Sequence, residues 1–428
     1  MQSYKTLQLE QLKNEYAEVK ANYEKYKAMN LKLDMSRGKP SAAQLNLTDG
    51  MLNVLKSGSD CYDENGFDCR NYGLLEGIPE ARRLFGELLG VSPDEIIIGG
   101  NSSLNLMYDT ISKGITHGFP ESEKPWGKLD KVKFLCPVPG YDRHFTICET
   151  FNIEMINVPM LNDGPDMDMV EKLVSEDDSI KGIWCVPKYS NPEGKTYSDS
   201  VVKRFANLKP KAKDFKIFWD NAYAIHEIYD EGDKLLNLLD EAKKCGNEDM
   251  VFIFSSTSKI SYPGAGVAMM AGSVKSINYI KKLLFAQTIS FDKLNSLRHV
   301  RYFKSVEGIR EHMKKHAEIL RPKFELVLNM LKNEIQELEI ATWIEPRGGY
   351  FISLNTMEGC AKRTLELAKE AGITMTPAGA TFPYGKDPLD QNIRIAPTYP
   401  PLDELKTAME IFITCIKLAS LEKMLSEK

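Results

Sequence analysis

Between about residues 95 and 272 the chain alternates short apolar runs with stretches of helical periodicity, and few folds accommodate that rhythm. The runs are EIIIG (95–99), VKFLC (132–136), IEMINV (153–158), KGIWCV (181–186), FKIFW (215–219), VFIFS (251–255) and VAMMAG (267–272). Between them, stretches such as 102–116 and 198–208 carry the period of a helix. Alternation on this scale predicts an α/β fold: a mainly parallel, seven-stranded type of sheet with helices on both faces.

From about residue 305 the pattern changes. A long charged helix (305–338) precedes ATWIE, GGYFISL, a helix at 359–371, NIRIA and a last helix from 402. Helices beside a few separate strands predict a smaller α+β unit. Residues 4–29 read as one helix with a stripe of Leu9, Leu12, Tyr16, Val19, Tyr23 and Tyr26, a face for docking onto the body. With 428 residues the chain exceeds one ordinary core. The expected division is a large domain over 46–304 and a small one built from 1–45 and 305–428.

A net charge of −5 argues against a nucleic-acid surface. No window has the apolar length of a membrane span, and the start MQSYKTLQLEQLK lacks a signal-peptide core. Eight cysteines are scattered without a C-x-x-C pair, so the expectation is a reduced, cytoplasmic protein with no zinc or redox motif. His312 and His316 stand four apart in HMKKH without a nearby carboxylate, which reads as a solvated helix face and not a metal site.

In a doubly wound sheet, ligands bind beyond the carboxyl ends of the strands. GNSSLN follows EIIIG, where the turn and hydroxyls of Asn101, Ser102 and Ser103 suit either a phosphate at a helix start or a plain N-cap. PVPGYDRHF follows VKFLC and carries Tyr141 and His144; PKYSNPEGK follows KGIWCV and carries Asn191. DNAYAIHE follows FKIFW with Asp220 and Tyr223, and STSK ends VFIFS with Ser256 and Lys259. Singly, Asp220 reads equally as a helix cap, Asn191-Pro192 as a turn and Tyr141 as a core ring. Lys259 is the odd residue, because an ammonium in a crowded strand-to-loop corner costs several kcal/mol unless paired or neutralised.

Taken together and in order, YGLLEG (Tyr72–Gly77), PGYDRH, NPEG, DNAY, STSK, PRGGYF and NIRIAPTYP resemble the fold-type I aminotransferases of aspartate aminotransferase class I, which use pyridoxal 5′-phosphate. The wordings MSRGKP, GGNSSLNLMYD and SKISYPGAGVA are most similar to subgroup Ic. The resemblance spans nearly the whole chain. It implies that Lys259 binds the cofactor as an imine and then carries the substrate's Cα proton. Asp220 would keep the pyridine nitrogen protonated, and His144 would orient that carboxylate. Asn191 and Tyr223 would donate to the ring's phenolate oxygen, Tyr141 would stack on the ring, and Ser256 with Asn101–Ser103 would hold the phosphate. Tyr72 would reach the phosphate of a second subunit, which implies a homodimer with shared sites. Arg394 would grip the substrate α-carboxylate as a two-pronged pair, touched also by the backbone of Gly38.

The implied reaction moves the amino group of L-aspartate to 2-oxoglutarate by ping-pong chemistry through a pyridoxamine form, with amino acids and 2-oxo acids as partners. Most class I members carry a phosphate-binding arginine where Gly266 stands here; Lys293, donated across the dimer, is the candidate replacement. A dicarboxylate substrate needs a second cation. Arg37 is the first candidate; Arg347, Arg143 and Lys293 are rivals. The alternatives are another amino acid on the same scaffold (aromatic or 2-aminoadipate), a β-elimination, or a non-catalytic cofactor-sensing module. The last needs a DNA-binding domain, and only about thirty residues precede MSRGKP.

Overall fold

The structure is a computed structural model that describes residues 2–427. In chain order the strands are β1 (Leu33–Asp34), β2 (Ile96–Ile98), β3 (Lys133–Val138), β4 (Glu154–Leu161), β5 (Gly164–Pro165), β6 (Ile180–Cys185) and β7 (Lys216–Asp220). They continue with β8 (Val251–Ser256), β9 (Ala268–Gly272), β10 (Ala341–Trp343), β11 (Ile352–Thr356), β12 (Ile373–Thr374) and β13 (Asn392–Ile395). All seven apolar runs of the central region are strands of one sheet, with order β2-β9-β8-β7-β6-β3-β4-β5. The pairs β4/β3, β3/β6, β6/β7 and β7/β8 are parallel. Strand β9 runs antiparallel to both β8 and β2, and the two-residue β5 folds back on β4 as an eighth strand.

Side chains alternate across this sheet and both faces are covered, which is why the strands read as continuous apolar runs. Leu135, Ile183, Ile217, Trp219, Val251 and Ile253 belong to one buried cluster. Their neighbours Phe134, Cys136, Trp184, Phe218, Phe252 and Phe254 belong to another on the opposite face. The parallel strands therefore end along one edge, and the segments after β3, β6, β7 and β8 emerge there side by side.

A third buried cluster joins Leu12, Val19, Tyr23 and Met35 to Leu320, Phe324, Ile352, Ile395 and much of the last helix, Leu402–Ser426. The N-terminal stripe does dock: Leu12, Val19 and Tyr23 of the helix Leu9–Ala28 are buried, and Tyr23 donates to the Leu367 carbonyl at 3.2 Å. Two smaller sheets accompany this cluster, parallel β1–β12 and antiparallel β10-β11-β13.

The helix Val306–Glu334 departs from expectation at its two histidines. His312 and His316 are buried, not solvated. His312 meets the Ile260 carbonyl at 2.9 Å, and Gln44 Nε2 lies 3.1 Å from His316 Nδ1. They face inward because the helix packs across the segment after β8; the flanking Lys314 and Lys315 take the outer face. Among the described residues no helix is long and apolar enough to cross a membrane, and the eight cysteines stand unpaired.

Candidate active site

Asp220 is the last residue of β7 and is buried. One oxygen, Oδ2, lies 3.0 Å from His144 Nε2, so that nitrogen carries the proton and donates to it. The other, Oδ1, is buried with no partner. Leaving a carboxylate oxygen unmet in a closed site costs a few kcal/mol, so the site is built for a donor that the chain itself does not supply. His144 is fixed by stacking on Trp184, with ring centroids 4.4 Å apart and planes 10° apart.

Lys259 lies in the turn after β8, where Ile260 and Ser261 both donate backbone N–H groups to the Thr257 carbonyl. Its amine makes no hydrogen bond or ion pair among the described residues. It sits between aromatic walls, 5.1 Å from the Tyr223 ring centroid and 5.6 Å from that of Tyr350. Burial lowers its pKa; Asp220 opposes that shift and Arg394 adds to it. A lysine held closer to its neutral form is a better nucleophile and proton acceptor than a solvated one.

Tyr141 caps the start of the helix Asp142–Thr150 after β3. Burial first, then the charges of Asp220 and Asp142, push its phenol up to about 12. Its ring stands edge-on to His144 at 5.0 Å. Tyr223 is buried beside Tyr350, and burial with nearby Tyr141 and Asp220 raises its pKa.

Arg394, on β13, reaches the same place from the opposite side. Its Nη1 donates to Asp142 Oδ1 at 3.0 Å and to Asn191 Oδ1 at 3.2 Å, and its Nη2 donates to Thr376 Oγ1 at 3.3 Å. The guanidinium lies 4.8 Å from the Phe351 ring. Gly38 packs on that same ring: a Cβ at Gly38 would fall 2.5 Å from Phe351 Cζ, so a larger residue there would have to displace the ring. Thr376 also donates to the Ser36 carbonyl at 2.8 Å, which ties the MSRGKP turn to Arg394. Because Asn191 accepts through Oδ1, its amide N–H groups remain free to donate to a ligand oxygen.

The serine turns meet at the other end of the site. Ser102 is the N-cap of the helix Ser103–Thr116, and its side chain makes no capping bond. The Ser258 hydroxyl donates to the Asn101 carbonyl at 3.5 Å, and Ser256 donates to Ser258 at 3.0 Å. Asn101 Nδ2 donates to the Gly264 carbonyl at 3.4 Å. The open N–H groups of a fourteen-residue helix, with free hydroxyls beside them, form an anion cup. An arginine cannot occupy position 266: a Cβ there would lie 2.9 Å from the Tyr262 carbonyl and 3.1 Å from Thr257 Oγ1. The donor set as a whole suits pyridoxal phosphate, with an amine, a carboxylate oxygen lacking a proton donor, free amide donors and an anion cup in one cleft.

The remaining candidates separate. Tyr72 is 73% exposed and Arg37 and Arg143 are also exposed. Lys293 is only 5% exposed, makes no side-chain hydrogen bond or ion pair among the described residues, lies 6.0 Å from the Phe67 ring, and burial lowers its pKa. It has no hydrogen bond to the serine turns. Arg347 is turned away to the Glu231 carbonyl and the carboxylates of Glu231 and Asp233. Asp142, Thr376 and Phe351 are part of the site but were not singled out from the sequence. Asp142 lies inside the PGYDRH motif, yet only the three-dimensional meeting with Arg394 distinguishes it from a helix-start carboxylate.

A family described as aspartate amino-transferase matches residues 7–428 of the chain. An aspartate aminotransferase of Corynebacterium glutamicum is 44% identical over 407 residues, covering 95% of this chain and 94% of that protein. The crystal structure of an aspartate transaminase from the same organism superposes with a TM-score of 0.96 at 43% identity, covering 98% of this chain and 99% of that one. An aromatic-amino-acid aminotransferase of Thermococcus litoralis is 27% identical over 286 residues, 65% of either chain. A lysine amine and an aspartate oxygen without partners thus sit in a chain that matches such enzymes over nearly its whole length, and the protein belongs to the aspartate amino-transferase family as a fold-type I aminotransferase.

Proposed function

We propose that the protein transfers the amino group of L-aspartate to 2-oxoglutarate, with pyridoxal phosphate held by Lys259 and working in two half-reactions. The observation that carries this reading is the pairing of an amine without a partner at Lys259 with the unmet oxygen of Asp220. When bound, the cofactor supplies a protonated ring that takes up the electron pair left as the substrate Cα loses its proton. Asp220 would hold the proton on the ring nitrogen, and His144 would keep that carboxylate oriented. Lys259 would accept the Cα proton and hand it on to the cofactor's C4′ carbon on the far side of the shared nitrogen, within the aromatic walls of Tyr223 and Tyr350 that limit water. Asn191 and Tyr223 donate to the ring oxygen, Tyr141 covers the ring, and Asn101, Ser102, Ser103 and Ser256 receive the phosphate.

Arg394 receives the α-carboxylate, with Gly38 beside it. Arg37, exposed, without an ion pair among the described residues and on the same turn as Gly38, receives the side-chain carboxylate. Arg143 is the exposed rival, whereas Arg347 is engaged elsewhere. Tyr72 reaches a neighbouring subunit, so the working form is a homodimer. The large domain spans 46–304 and the small one 1–45 with 305–428. Eight unpaired cysteines favour a reducing, cytoplasmic setting.

The test is the visible spectrum of the purified protein loaded with pyridoxal phosphate, before and after L-aspartate alone. The expected result is a cofactor band that is lost in Lys259→Ala, and that aspartate converts with release of oxaloacetate. Conversion by an aromatic amino acid or 2-aminoadipate but not by aspartate overturns the substrate and leaves the transferase. No band at all overturns the role of Lys259.

A further inference from the structure

We propose that Asp142 is an internal stand-in for the substrate carboxylate: it occupies Arg394 in the empty site and must be displaced when an amino acid or oxo acid binds. The inference rests on the reading of Arg394 as the α-carboxylate receptor and adds a residue that sets affinity at that receptor.

The donor count carries the argument. Nη1 of Arg394 has two N–H groups, and both are used, one on Asp142 Oδ1 at 3.0 Å and one on Asn191 Oδ1 at 3.2 Å. Nη2 gives one to Thr376 Oγ1 and keeps one free. A carboxylate gripping the guanidinium as a fork needs two parallel N–H groups. Nε is buried and has no partner among the described residues. A carboxylate that grips the Nη1–Nη2 edge as a fork must evict Asp142 or Asn191, since both Nη1 donors are taken.

The two occupants are not equally held. Asn191 is buried. The Asp142 side chain is 33% exposed, and its bond to Arg394 is the one side-chain contact it makes among the described residues. It stands at the first position of the helix Asp142–Thr150, where an ionised carboxylate is at ease in solvent once released. Arg394 does not depend on Asp142 for its aim, since Asn191, Thr376 and the Phe351 ring also hold it. What Asp142 supplies is neutralisation of a buried guanidinium in the empty site. Without it, the empty state carries an uncompensated buried charge and the liganded state does not. The exchange of one carboxylate for another lowers the net gain on binding, so product leaves more readily.

The experiment titrates two unreactive probes, succinate and 3-phenylpropionate, into the cofactor-loaded enzyme and its Asp142→Asn and Arg394→Ala variants, following the cofactor absorbance. The expected result is that D142N binds at least one probe roughly tenfold more tightly, with KM for both amino acid and oxo acid lowered and kcat not raised. Equal or weaker binding by D142N overturns the proposal. Should D142N fail to hold its cofactor, Asp142→Ser is measured in its place and judged by the same criterion. If R394A binds the probes as tightly as the wild type, the reading of Arg394 fails, and the proposal with it. Loss of binding in R394A with no gain in D142N refutes the role of Asp142 alone.

Discussion

His144 donates from Nε2 to Asp220 Oδ2 at 3.0 Å, while Asp220 Oδ1 has no partner in its buried surroundings. The two oxygens of one carboxylate thus have different tasks, the first fixed by the chain and the second left for a ligand. Asp220→Asn keeps the shape and removes the charge, and it should cut kcat by roughly 10²–10⁴-fold, the usual scale for a group that moves or holds a proton in the reaction. His144→Asn should cost less, about 10–100-fold, because it only orients the carboxylate. Steady-state kinetics under saturating cofactor distinguish these two ranks; equal losses would contradict the division of labour.

Gly266 sets a second expectation. Restoring the arginine found there in most class I members should harm this protein, because Tyr262, Thr257 and the Ser258 amide leave no room for a Cβ. Forcing extra atoms into a packed site costs about 1–3 kcal/mol. Gly266→Arg should therefore lower Tm and weaken cofactor retention, both read by thermal melts with and without pyridoxal phosphate. Gly266→Ala should show the same sign at smaller size.

The loop that carries Lys259 is braced by His299. Its Nδ1 donates to the Asn295 carbonyl at 2.7 Å, and its Nε2 accepts from Ser261 Oγ at 2.7 Å, with Thr257 Oγ1 at 3.2 Å. Burial pulls its pKa down to about 4 from the ordinary 6.5. Between those values the unfolded chain binds a proton that the native chain refuses, so this contribution is complete above about pH 6.5 and lost as pH falls toward 4, up to about 3 kcal/mol. His316, pulled lower still by burial and by His312, acts with the same sign. Urea unfolding at pH 7.5 and pH 5.0 should show a steep acid loss in the wild type and a shallower one in His299→Gln.

Substrate choice is tested at Arg37. Removing a charged partner from one carboxylate should raise KM for aspartate roughly 10–100-fold, with little change for alanine as donor. If both donors suffer alike, the second cation lies elsewhere, and Arg143→Ala becomes the informative comparison.

The sheet was readable because burial on both faces writes a strand as an unbroken apolar run, as in Phe252 through Phe254. The residues at the strand ends were readable as candidates because the topology leaves each of Tyr141, Asn191, Asp220 and Lys259 at one edge. Strands β1 and β12, two residues each, have no pattern to read and exist only through pairing across most of the chain. The inward turn of His312 and His316 was misjudged from flanking lysines, since helix orientation is set by the surface it packs on. Asp142 and Thr376 were silent for a related reason. A single carboxylate or hydroxyl declares its partner only after β13 has brought Arg394 across 252 positions of sequence.

The pairing of the first helix with the last has a bearing on how the protein is made. Leu33 lies beside Ile373, and the helix Leu9–Ala28 shares its buried cluster with Leu402–Ser426. On the ribosome the helix Leu9–Ala28 emerges long before the helix Leu402–Ser426 that shares its buried cluster. The central sheet has every strand it needs by residue 272 and can form while synthesis continues. The turn bearing Arg37 and Gly38 is tied down only by residues that follow the sheet, through the β1–β12 pairing and the bond from Thr376 to the Ser36 carbonyl, so its placement waits on segments made after the sheet's last strand.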